Sequence, residues 1–81
     1  MTTSKNLQYC IHDDTEALRL ELSGNLSGVE VDNAYHAWLT EYSRDPHRPV
    51  IVDLTFVTSA DHHGLVLISL LHRSGAQMVV E

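Results

Sequence analysis

The sequence predicts an α/β fold of order β-β-α-β-α-β, with a mostly parallel sheet, an antiparallel N-terminal hairpin and helices packed on the sheet. Two segments near the N-terminus alternate apolar and polar residues, the period of strands. Two later segments repeat apolar residues at helical spacing, and a short apolar run follows each. Strands alternating with helices in this way favour parallel pairing through right-handed crossovers.

Each element has its own signal. Met1 to Asn6 is polar and is expected to fray. Leu7, Tyr9 and Ile11 alternate with Gln8, Cys10 and His12, which predicts the first strand. Asp13-Asp14-Thr15 reads as a turn, because these side chains satisfy turn backbone locally. Leu18, Leu20 and Leu22 alternate with Arg19 and Glu21, completing a hairpin. Ser27-Gly28-Val29-Glu30 has capping-box spacing and predicts the start of the first helix. Val31, Ala34, Tyr35, Trp38, Leu39 and Tyr42 then form its apolar face, with the aromatics expected in the core. The helix should stop near Ser43 to Asp45, before Pro46. Val50-Ile51-Val52-Asp53-Leu54 reads as a strand buried on both faces.

The second helix is expected to begin at Asp61, whose carboxylate can cap the first turn. From Leu65 to Leu71 only Ser69 is polar, so the apolar arc is wider than a surface helix needs. Such a helix is either covered on two sides or offers one side to a partner. Gly75 suits the left-handed position after the helix, and Met78-Val79-Val80 reads as a last buried strand.

With 81 residues the chain is long enough for one domain, spanning 1–81. A net charge of −6 and five scattered basic residues argue against a nucleic-acid surface. Cys10 stands alone and can form no internal disulfide. The opening lacks the apolar run of a signal peptide, and Leu65 to Leu71 is too short to span a bilayer. The expected location is the cytoplasm, without membrane insertion. Among six histidines no pair has helical H-x₃-H spacing, and H-E-x-x-H is absent, so no metal or other cofactor is expected. Asp53 and Asp61 are the only suggestive carboxylates, and both read as structural. Cys10 lies in no motif, so no enzymatic activity is expected.

Leu20-Glu21-Leu22-Ser23-Gly24-Asn25-Leu26, Val50-Ile51-Val52-Asp53-Leu54 with Val57-Thr58, and Asp61-His62-His63-Gly64-Leu65 follow one another in an order that resembles the STAS domains. That family comprises anti-sigma-factor antagonists and the cytoplasmic tails of sulfate transporters. The last segment is similar to the family's D-S-S-G-L signature, and the likeness covers about Leu18 to Val80. The resemblance implies a non-catalytic regulatory module that binds an anti-sigma factor or similar switch protein, acting in signalling and transcriptional regulation. The alternative it implies is an accessory subunit of an ABC-type membrane transporter. The docking surface it implies comprises Asn25, Thr58, Ser59, Asp61, His62, His63 and Gly64.

Two departures qualify the likeness. The family's phosphorylated hydroxyl falls at His62, and the next serine at His63, so the usual Ser/Thr switch is expected to be lost. Histidines there open a pH-sensitive alternative. Family members also continue with another helix where this chain reaches Glu81. Val66, Leu67 and Leu70 are therefore expected to lack cover within the chain, which favours a symmetric homodimer.

Overall fold

A computed structural model describes residues 7–81; the expected fraying of residues 1–6 lies outside the described residues. The elements are β1 (Gln8–Asp13), β2 (Leu18–Leu26), α1 (Val29–Arg44), β3 (Val50–Ala60), α2 (His62–Arg73) and β4 (Gln77–Val79). Their order is the one the sequence predicts. The sheet runs β1-β2-β3-β4, with β1 antiparallel to β2 and the remaining pairs parallel.

This strand order decides where the core lies. Both crossovers step one strand in the same direction, so right-handed connections place both helices on one face. Leu18, Leu20, Leu22 and Leu26 of β2 and Val50 and Val52 of β3 point into that face. They meet Val31, Ala34 and Trp38 of α1 and Leu67 and Leu71 of α2. Trp38 stacks on Tyr42 with ring centroids 4.8 Å apart, and Tyr35 lies 5.9 Å away on its other side. Of the aromatics expected in the core, Trp38 is buried, whereas Tyr35 and Tyr42 are half-buried and pack against it.

β3 is not buried on both faces. Val50 and Val52 are buried, whereas Ile51 and Asp53 are only half-buried. The cause is again the sequential strand order, which leaves the second face without a helix among the described residues. That open face carries Cys10, His12, Arg19, Glu21 and Asp53. Arg19 bridges there to Asp53 at 2.8 Å and to Glu21 at 3.2 Å.

Three element ends differ from expectation. α1 is capped by Gly28, with φ 72° and ψ −157°, and no side chain caps it. That backbone region is open essentially to glycine alone, and it places Ser27 one residue too early for the expected capping box. β3 continues to Ala60 instead of ending at Leu54. Two register shifts against β2 give β3 two extra residues, one between Asp53 and Phe56 and the other at Thr58. β4 has the expected length but spans Gln77–Val79, one residue earlier than expected, and pairs with Ile51, Val52 and Asp53; it is not the buried strand expected, since Met78 and Val79 are half-buried and Val80 is exposed.

The C-terminus of α2 follows the sequence signal. Gly75 has φ 96°, and its amide bonds the His72 carbonyl at 3.0 Å. The Ala76 amide reaches the Leu71 carbonyl at 3.3 Å, completing a Schellman motif. At the opposite end of the sheet Arg48 has a nearly buried side chain that pairs with Asp13. Its guanidinium also donates to the backbone carbonyls of Asp14 and Glu41, joining the β1–β2 turn to the end of α1.

Candidate docking site at the carboxyl ends of β2 and β3

β2 and β3 end level with each other, with Leu26 beside Ala60. The chain then turns at Asp61, which occupies the expected N-cap of α2. Its amide donates to the Leu26 carbonyl at 3.0 Å, and its carboxylate accepts from the Gly64 amide at 3.0 Å. The Gly64 hydrogen bond is the main reason the Asp61 carboxyl is held below the usual carboxylate range; partial desolvation opposes it, and the Gly28 amide and His63 reinforce it. The Asp61 carboxylate thus caps the first turn of α2.

Gly64 explains how closely α2 sits on the sheet. A Cβ built there would lie 2.3 Å from the Leu26 carbonyl oxygen and 2.7 Å from the Leu26 Cβ. Gly64 is buried, so it shapes the turn and presents no side chain to a partner.

The other expected site residues lie around this turn. Asn25 and Ser59 are register partners, and the Ser59 hydroxyl donates to Asn25 Oδ1 at 2.8 Å. Thr58 is exposed beside them as the extra residue of the second bulge. These are strand residues, whereas the sequence places them in a loop and a turn. His62 and His63 are exposed on the first turn of α2, with ring centroids 6.2 Å apart. His63 Nδ1 stands 3.6 Å from Asp61 Oδ2. His62 lines a groove of about 290 Å³ between α1 and α2, together with Tyr35, Val66 and Leu70.

α2 divides its apolar residues between two faces. Gly64, Leu67 and Leu71, at spacings of three and four, face the sheet and are buried. The expectation that Leu67 lacks cover is therefore overturned: it is 1% exposed. Leu65, Val66 and Leu70 are 57%, 44% and 39% exposed, so this helix does offer one side outward. Leu65 was not singled out by the sequence pattern, because the wide apolar arc gives no preferred inward direction. Exposed imidazoles can donate or accept hydrogen bonds, and the adjoining apolar side chains can be buried by a partner. The combination suits recognition of a protein surface.

The cap gives a direct test of the turn. Asp61→Ala is expected to lower the melting temperature by about 4–8 °C near neutral pH. The Asp61 carboxyl titrates below its ordinary value in the folded chain. Its stabilisation is therefore fully present above the unfolded value of about 3.9 and is lost as the pH falls through the lower folded value. Thermal scans at about pH 7 and about pH 3 should show the gap between wild type and variant narrowing in acid.

The chain matches no protein-family model, and no curated protein matches it. Among the described residues, no helix is long and apolar enough to cross a membrane.

Proposed function

We propose that this domain is a non-catalytic regulatory module that binds another protein through the outer side of α2 and the turn before it. The class we assign is STAS-type, resembling an anti-sigma-factor antagonist, with the Ser/Thr phosphorylation switch lost at His62. The observation that carries the reading is the exposed run of Leu65, Val66 and Leu70, contiguous with His62 at the carboxyl ends of β2 and β3. Open α/β sheets commonly bind at that end of the strands. Apolar anchors beside polar groups are what a protein interface needs at its centre.

The test is affinity capture from the native host with the full chain, followed by binding measurements on the captured protein. Val66→Asp places a charge in the apolar run without touching the core and should weaken binding about tenfold or more. His62→Glu should act in the same direction. Capture of a kinase-like anti-sigma factor by wild type, with loss on either substitution, supports the proposal. Capture of a transporter ATPase would reassign the module to transporter accessory function. Undiminished binding by both variants would remove this surface from consideration. A dimer in sedimentation that Val66→Asp dissolves would identify a second copy as the occupant.

A further inference from the structure

The open face of the sheet brings together three metal-ligating side chains that no sequence spacing reveals. Cys10 and His12 lie two residues apart on β1, so both project from the same face. Cys10 pairs in register with Glu21 of β2, and His12 pairs with Arg19. The Cys10 sulfur, a His12 ring nitrogen and a Glu21 carboxylate oxygen all lie within 4.8 Å of one another. We propose that Cys10, His12 and Glu21 form a zinc-binding site, with a fourth position left open to water.

The His12–Glu21 geometry matches zinc. Bonds of about 2.0–2.1 Å to nitrogen and oxygen, at a tetrahedral angle, set those two atoms about 3.3–3.4 Å apart. His12 Nε2 and Glu21 Oε1 are 3.4 Å apart. The Cys10 side chain is exposed and free of any disulfide, and its sulfur lies within 4.8 Å of both other ligand atoms.

The surroundings fit as well. Glu21 turns its other oxygen, Oε2, to Arg19 Nε at 3.2 Å, which fixes the carboxylate plane and leaves Oε1 free to bind. Arg19 is itself held by Asp53 at 2.8 Å, and Asp53 Oδ1 accepts from the Thr55 amide at 2.9 Å. Asp53 is thereby occupied as a support and is not a ligand. The charges of Arg19 and Asp53 cancel, so a Cys10 thiolate and the Glu21 carboxylate offset the two charges of zinc. A thiolate with an imidazole selects zinc over magnesium or calcium, which favour oxygen alone. Cys10 and Glu21 also line a shallow cleft of about 210 Å³ beside Tyr9, Ser23 and Phe56.

Titration of the metal-free full chain with Co²⁺, followed by competition with Zn²⁺, tests the assignment. One equivalent of Co²⁺ should give the near-ultraviolet thiolate-to-cobalt band and tetrahedral visible bands, both removed by Zn²⁺. Cys10→Ser should abolish the thiolate band and weaken zinc binding at least about tenfold. His12→Gln and Glu21→Gln should each weaken binding, while His36→Gln and His72→Gln should not. X-ray absorption of the zinc-loaded chain should show one sulfur among nitrogen and oxygen neighbours. Circular dichroism checks that each variant folds. Cobalt bound without a thiolate band, zinc bound equally well by Cys10→Ser, or no binding at stoichiometric concentration would each overturn the site.

Discussion

Replacing Gly64 with alanine should destabilise the domain by about 3 kcal/mol, or about 12–24 °C in melting temperature. Helix propensity alone forecasts the opposite sign, because alanine is favoured over glycine in a helix by about 1 kcal/mol. Packing decides the outcome. The added Cβ would stand 2.3 Å from the Leu26 carbonyl oxygen, 2.7 Å from the Leu26 Cβ and 3.0 Å from the Ala60 Cβ. None of these is the flexible end of a side chain. The Leu26 carbonyl is further fixed by the Asp61 amide, which donates to it. The start of α2 must therefore lift, stretching the Asp61 cap and uncovering part of the core. Thermal and urea denaturation measure the effect. Wild-type stability in Gly64→Ala would show that α2 is not seated against β2 at this point.

Leu67→Ala should cost about 2–5 kcal/mol, whereas Val66→Ala and Leu70→Ala should each stay within about 0.5 kcal/mol of wild type. Leu67 is 1% exposed and packs into the core, so its removal leaves a cavity that the sheet cannot readily fill. Val66 and Leu70 face outward and lose little. For a small domain with a total stability at the low end of about 5–15 kcal/mol, the first change approaches complete unfolding. Urea midpoints of the three variants check it. A reversed ranking would mean that α2 is rotated about its axis.

These two residues also mark where the sequence is legible and where it is not. The element order is plain because each segment keeps its period, and Asp61 and Gly75 mark the ends of α2 by their chemistry. The inward side of α2 is not plain. With Leu65 to Leu71 interrupted only by Ser69, hydrophobicity gives no direction. Gly64 supplies the missing direction, since Leu67 and Leu71 lie three and seven residues after it on the face that must approach β2. The length of β3 is hidden for another reason. Its two extra residues break the period-two alternation after Asp53, so Thr55 to Ala60 resemble a loop.

The candidate docking site is legible in part. Asn25 and Ser59 pair across the ends of β2 and β3, and the chain continues from there into the turn at Asp61 and the first turn of α2, because parallel strands bring their carboxyl ends to one edge. The grouping of Cys10, His12 and Glu21 depends on hairpin register instead. Asp13 opposite Leu18 fixes that register, and the turn between them is the signal that could have revealed it.

The irregularity of β3 also bears on how the protein behaves at high concentration. β4 protects only Ile51 to Asp53, and beyond them no strand among the described residues pairs with β3 on that side. Unpaired backbone of this kind is a template for aggregation, and Phe56, 73% exposed, adds an apolar side chain to it. Bulges bend and twist a strand away from the flat geometry that another chain needs for pairing. The same extra residues that hide β3 in the sequence thus make its free edge a poorer template for pairing with another chain. The net charge of −6 adds electrostatic repulsion between copies to that geometric protection.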